Sequence, residues 1–164
     1  MSVPLLVADS GPLIALARLN LLGLPSRLFS EALVTSTVWE EVLREPPAAE
    51  QSQLQAALRE GWLKVVQGPF AWPAGHPVPV LDAGELSALA LAHARSAAVL
   101  LDERRGRAAA ASLGLHVLGT LGLLVRARDA NLIARVRPLA EALIAGGYFL
   151  GPSLVERLLA DIGE

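Results

Sequence analysis

Residues 3–19 read VPLLVADSGPLIALARL. Val3 to Ala8 is an apolar run too short for a helix of normal length, which predicts a buried strand. Asp9-Ser10-Gly11-Pro12 ends it. Pro12 suits the first turn of a helix with Ser10 or Gly11 near the cap, and Leu13, Leu16, Ala17 and Leu19 then form one apolar helical stripe. The same unit recurs further along: Ala97 to Leu101 is an apolar run, Asp102 ends it, and Arg104 to Leu113 is an Ala-rich helix closed by Gly114.

The chain between and beyond these units alternates in the same way. Leu24 to Phe29 predicts a short helix and Ala32 to Val34 a brief strand. Thr35-Ser36-Thr37 opens the next helix, with Thr37 and Glu40 at capping-box spacing. Pro46-Pro47 breaks the chain before an amphipathic helix over Ala48 to Glu60, which Gly61 closes. Leu63 to Val66 is a strand, and Gly68 to Pro79, with four prolines, is a loop. Asp82 to Arg95 is helical, Asp82 and Glu85 again having capping-box spacing. His116 to Leu118 is a third short strand after Asp102, ended by Gly119-Thr120. Helices follow at Leu121 to Ala127, Arg137 to Ala145 and Ser153 to Ile162. Strands alternating with helices predict an α/β domain with a mainly parallel sheet, right-handed crossovers and a helical C-terminal region. Strand order does not follow from the pattern.

With 164 residues and no linker or internal repeat, residues 1–164 are read as a single domain. A hydrophobic share of 53% excludes a disordered chain. A net charge of −2 is not the basic footprint of a dedicated nucleic-acid binder, although a local patch can hide in it. Cysteine is absent, which excludes thiolate nucleophiles, disulfides and Cys-ligated zinc. The N-terminus has neither a basic segment nor a cleavage site of the secretory kind. The weakly polar stretch Ala108 to Val125 is long enough to raise the question of a membrane span. Ser112, His116, Thr120 and three glycines cut it into shorter pieces. The expectation is a cytoplasmic protein with no membrane partner. Its high apolar fraction predicts a homodimer.

In an open parallel sheet, ligands bind outside the carboxyl ends of the strands. Asp9 and Asp102 both follow apolar strands, and on neighbouring strands their carboxylates would share one edge. Like charges gathered in a partly dry cleft call for a proton or a cation, and carboxylate with water suits Mg²⁺ or Mn²⁺. Either aspartate alone also reads as a helix cap. Two helical glutamates are candidates to join them. Glu85 reads equally as the partner of Asp82 in a capping box. Glu40 and Glu41 face about 100° apart on a helix, so only one can point into a cleft. Glu40 is assigned to the capping box with Thr37, which makes Glu41 the choice for the cleft, with Glu40 as the alternative. Asp82, Glu103 and Asp129 are acidic bystanders that could also contribute, and Thr120 reads either as a residue lining the cleft or, in preference, as a helix cap.

In these residues the chain resembles the PIN-domain ribonucleases. LLVADSGPLIALARL is similar to the family's opening strand, first acidic residue and following helix. VWEEVL, LDAGELSALALA and VLLDERRGRAAAASLGLHVLGTLGLL are similar to its second, third and fourth acidic elements, with Glu41, Glu85 and Asp102 in the acidic positions. The GTLGLL ending resembles a prokaryotic branch similar to VapC-type toxins. The resemblance implies a three-layer α/β/α fold and metal-dependent endonucleolytic hydrolysis of RNA. It implies Mg²⁺ or Mn²⁺ held by Asp9, Glu41, Glu85 and Asp102, pairing of subunits, and an antitoxin protein as partner. The alternative is a non-catalytic PIN-like module that binds RNA or protein.

Arg104, Arg105 and Arg107, just after Asp102, read either as phosphate contacts or as a solvated helix face. Arg126, Arg128, Arg135 and Arg137 carry the same two readings. His76, His93 and His116 lack metal-ligand spacing, and Trp39, Trp62 and Trp72 read as packing residues. No phosphate-binding glycine motif is present. A phosphoacceptor signalling domain would need a lysine near the acidic pocket. Lys64, the only lysine, begins a strand instead of ending one.

Overall fold

Apolar runs become strands wherever both faces can be covered, and the chain supplies helices for both. The computed structural model describes residues 4–44 and 47–164, so the expected strand start at Val3 and the break at Pro46 lie outside the described residues. The opening unit is β1 (Leu5–Ala8) and α1 (Ser10–Arg18), followed by α2 (Leu24–Leu28). Next come β2 (Glu31–Thr35), α3 (Ser36–Arg44), α4 (Ala48–Glu60) and β3 (Leu63–Val66). After the proline-rich loop stand α5 (Ala83–Arg95), β4 (Ala98–Leu100), α6 (Arg104–Ser112) and β5 (Val117–Leu118). The chain continues with α7 (Thr120–Asp129), α8 (Arg137–Ala145) and α9 (Pro152–Asp161).

All five strands are parallel, in the order β3-β2-β1-β4-β5. The chain winds from β1 outward through β2 to β3, then returns to place β4 on the other side of β1. The winding direction therefore reverses between β1 and β4, whose ends align through Ala8 opposite Leu100. Such a reversal parts the connecting loops and opens a crevice at the carboxyl edge. Helices cover both faces, giving three α/β/α layers. Helix α5 lies against β1, β2 and β4, while α1 packs on α3, α4 and α7. Leu6, Leu33 and Leu100 are fully buried in the sheet, each contributing about 1.5–3 kcal/mol of apolar transfer energy.

Two local expectations are corrected. Thr37 and Glu40 form no capping box. Helix α3 begins at Ser36, directly off β2, and the Val38 amide donates to Thr35 Oγ1 at 3.0 Å, so the last strand residue is the cap. Thr120 is not the cap of α7, a position held by Gly119. The Asp82–Glu85 box does form, with Asp82 Oδ1 accepting from the Glu85 amide at 2.8 Å and Glu85 Oε2 from the Asp82 amide at 3.2 Å. Trp39, Trp62 and Trp72 are half-buried against the core. Among the described residues, no helix is long and apolar enough to cross a membrane.

Candidate functional site

Asp9 leaves β1 on the seam of the sheet. Its amide donates to Leu100 O of β4 at 3.0 Å, so its backbone is fixed between the two central strands. Its side chain occupies the N-cap position of α1 but makes no cap hydrogen bond, and it is only 8% exposed. Burial raises its pKa from 3.8 to about 7. The Ser10 amide opposes that shift, and the negative charges of Glu85, Asp82 and Glu41 add to it. A carboxylate that is buried, does not cap and is surrounded by its own charge type is disfavoured as an anion in the metal-free fold.

Glu85 stands on the first turn of α5 and is 7% exposed. Its Oε2 serves the capping box, while a methyl group on Gly106 would stand 3.2 Å from Oε1, so the carboxylate reaches across to the start of α6. Burial raises its pKa, the Asp82 amide opposes this, and the charges of Asp82 and Glu103 and a hydrogen bond shared with Glu103 add to it. Its two sequence readings are therefore not exclusive: Glu85 caps a helix and also lies in the acidic cluster.

Glu41 and Glu40 part as their helical spacing requires. Glu40 faces solvent and meets Arg44 at 3.8 Å, one turn on. Glu41 turns inward, where Ser10 Oγ donates to its Oε2 at 3.5 Å. It also lies over Gly84: a methyl group there would stand 2.6 Å from Glu41 Oε2. The absent side chain at Gly84 is what lets the Glu41 carboxylate rest on α5. Thr35 locks the two glutamate-bearing helices from below. It is fully buried, caps α3, and shares a 2.7 Å hydrogen bond with Ser87 of α5.

Asp102 enters from the end of β4. It does not cap α6, a task Glu103 performs by accepting from the Gly106 amide at 2.8 Å. Instead Thr120 donates twice to Asp102, from its amide to Oδ1 at 2.8 Å and from its hydroxyl to Oδ2 at 2.5 Å. The Tyr148 hydroxyl donates to Oδ2 as well. Burial, then the charge and hydrogen bond of Asp102, raise the Tyr148 pKa, with Asp9 adding its charge, so the phenol stays protonated and remains a donor. Tyr148 also stands beside the β1–α1 turn, since a methyl group on Gly11 would lie 3.4 Å from its oxygen. It therefore bonds to Asp102 and stands near the turn that carries Asp9.

The sequence reading missed Tyr148 altogether, and of its two readings of Thr120 the one in the cleft, beside Asp102, agrees with the structure. The signal available was modest: the chain's only tyrosine, just after Gly146-Gly147. Gly147 adopts φ +87°, a left-handed turn open to glycine, which ends α8 and swings Tyr148 back toward the sheet.

Among the described residues, no three His, Asp or Glu side chains stand close enough to form a ready-made ion cage. The donor set is all oxygen, and at most two carboxylates meet at any one point. This fits an ion that keeps much of its water, as Mg²⁺ does, and not a dehydrated, tightly enclosed one. The bystanders have other tasks: Asp82 caps α5, and Asp129 pairs with Arg128 at 3.4 Å on the surface. The second arginine group is engaged internally, Arg126 with His116, and Arg128, Arg135 and Arg137 around Glu164. Arg104, Arg105 and Arg107 are exposed beside Asp102.

A family model for PIN domains matches residues 5–164. Among solved structures, a PilT N-terminus domain protein from the hyperthermophilic archaeon Sulfolobus solfataricus is similar, with a TM-score of 0.53 at 15% identity. The match covers 74% of this chain and 92% of that one, and it bears on the fold alone. Among curated proteins, none matches the chain. The family match spans nearly every described residue and includes all four strand- and helix-borne carboxylates at the carboxyl edge, so the chain belongs to the PIN-domain family.

Proposed function

We propose that this protein is a divalent-metal-dependent endoribonuclease that hydrolyses RNA phosphodiester bonds. The observation that carries the reading is Asp9, a buried carboxylate at the switch point that caps nothing and has only negative charge for ionic company. Such a group is tolerated where a cation is its partner. Asp9 and Asp102, with Glu41 and Glu85 directly or through water, would hold Mg²⁺ or Mn²⁺. The bound ion would supply an activated water, a polarised phosphate and stabilisation of the leaving oxygen.

The residues around the cluster have definable tasks. Thr120 and Tyr148 hold the Asp102 carboxylate in one rotamer by donating to it. Ser10 orients Glu41, and the Asp82 amide orients Glu85. No side chain need act as a nucleophile. The exposed arginines after Asp102 suit the phosphates of a bound strand.

The test is cleavage of a mixed RNA pool with Mg²⁺ or Mn²⁺. The expected result is slow cleavage that EDTA abolishes and added Mn²⁺ restores. Resemblance to VapC-type toxins extends the proposal to a toxin–antitoxin pair. Expression of the chain alone is then expected to arrest growth, and the Asp9→Asn form is not.

One observation favours a second reading, that of a non-catalytic RNA- or protein-binding module: Asp102 already accepts three hydrogen bonds, which occupy much of its capacity. Mn²⁺ binding without cleavage of any RNA would select it. A phosphoacceptor reading is disfavoured because Lys64 pairs with Glu31 at 3.3 Å on edge strand β3, away from the aspartates.

Gly84→Ala tests the part played by Glu41 without changing a carboxylate. The added methyl group displaces the flexible end of Glu41. Alanine is also the better helix former, by up to about 1 kcal/mol. The expected outcome is roughly tenfold or greater loss of cleavage with an unchanged or slightly raised melting temperature.

A further inference from the structure

A second feature adjoins the carboxylates. A cavity of about 560 Å³ runs from Asp102 between α6, the β5–α7 turn and the start of α9. That volume suits a single small-molecule group of nucleotide size. Its floor is apolar, from Val117, Leu118 and Leu121, and two guanidinium groups, Arg104 and Arg107, stand on its wall. Arg107 is steadied there by donating to Leu101 O at 3.3 Å. At the mouth Phe149 is 85% exposed and Leu154 53%.

Phe149 directly follows Tyr148. One stretch of backbone thus sends one aromatic ring inward to Asp102 and offers the next to solvent. An exposed phenyl ring carries a cost in water and gains from a flat partner. Paired arginines beside it call for an anion. A nucleotide unites both, with a flat base and a phosphate held at a fixed spacing.

We infer that this cavity is a nucleotide subsite. The base of one nucleotide of single-stranded RNA stacks on Phe149, and Arg104 and Arg107 hold its phosphate, next to the bond presented to Asp9 and Asp102. The inference rests on the ribonuclease reading for the identity of the ligand and adds the element that grips the strand beside the cut. Stacking requires a ring, whereas simple apolar burial does not, and this distinction allows a direct test.

The experiment measures binding, not cleavage. Fluorescence anisotropy follows a labelled single-stranded hexaribonucleotide on the full chain in EDTA. Phe149→Ala and Phe149→Leu are each expected to weaken binding roughly tenfold, and Phe149→Trp to restore it. Arg104→Ala with Arg107→Ala is expected to weaken binding and flatten its dependence on salt. Equal binding by Phe149→Leu and the unsubstituted protein would overturn the subsite. So would a change from dimer to monomer in Phe149→Ala with RNA binding unchanged, which would make the patch a contact between copies. If the unsubstituted protein cleaves RNA while the Phe149 variants bind like it, only the subsite fails. If it neither binds nor cleaves RNA, the ribonuclease reading fails with it.

Discussion

Asp9→Asn is expected to remove RNA cleavage, by roughly 100-fold or more, and at the same time to raise the melting temperature of the metal-free protein. The two effects have one cause. Burial and three neighbouring carboxylates raise the Asp9 pKa from 3.8 to about 7, so ionising it in the fold is unfavourable. Each pKa unit corresponds to about 1.4 kcal/mol, and relief of most of that shift is worth roughly 2–3 kcal/mol, or about 5–10 °C for a chain of this size. Asparagine loses no cap hydrogen bond, because Asp9 makes none. The sign of the pH dependence follows. Below about pH 4 Asp9 is protonated both folded and unfolded, and its environment costs nothing. As pH rises the unfolded chain ionises first, so the unsubstituted protein loses stability until about pH 7, where folded Asp9 ionises too. Calorimetry in EDTA across pH 4–8 checks this: the gap between the two proteins should open with pH. A constant gap would show that ionisation of Asp9 does not set it, and a reversed gap would show that Asp9 stabilises the fold.

Asp102→Ala is expected to remove cleavage to a similar degree and to move stability the other way. Asp102 accepts from the Thr120 amide, the Thr120 hydroxyl and the Tyr148 hydroxyl. Hydrogen bonds to a charged acceptor contribute about 1.5–3 kcal/mol each, and they are not additive when they share one acceptor. Thr120 is fully buried, so its hydroxyl would lose its partner without access to water. A net loss of about 2–4 kcal/mol is expected, lowering the melting temperature by roughly 5–15 °C. Thermal melts of the two single variants side by side make the comparison. Two aspartates of one cluster should shift stability in opposite directions, one because the protein leaves it uncompensated and one because three donors converge on it. A stabilised Asp102→Ala protein would mean that the Thr120 and Tyr148 contacts contribute little.

The layered fold and the shared edge of Asp9 and Asp102 were legible because short apolar runs alternate with helical stripes and each aspartate follows a run directly. Strand order was not legible, since the strands are short and mostly apolar and the pattern carries no neighbour information. Glu41 was preferred to Glu40 on the strength of a capping box that does not exist. The helix follows β2 without a linker, so its cap falls on Thr35, the last strand residue, two positions before Thr37. What gives the inward Glu41 carboxylate room is the bare backbone of Gly84, 43 positions away in sequence by the numbering and invisible to local spacing. Tyr148 lies 46 residues beyond Asp102 in a stretch with no motif around it. Contacts closed by distant turns leave no periodic trace.

The buried hydroxyl pair of Thr35 and Ser87 has a mechanical consequence. It joins the two helices that present Glu41 and Glu85 beneath the cleft, at the level of the sheet, and not at the rim where loops vary. The width of the aperture is thereby set by its foundations. A substitution that parts Thr35 from Ser87 should therefore shift Glu41 and Glu85 relative to each other while leaving the Asp9 backbone held by Leu100.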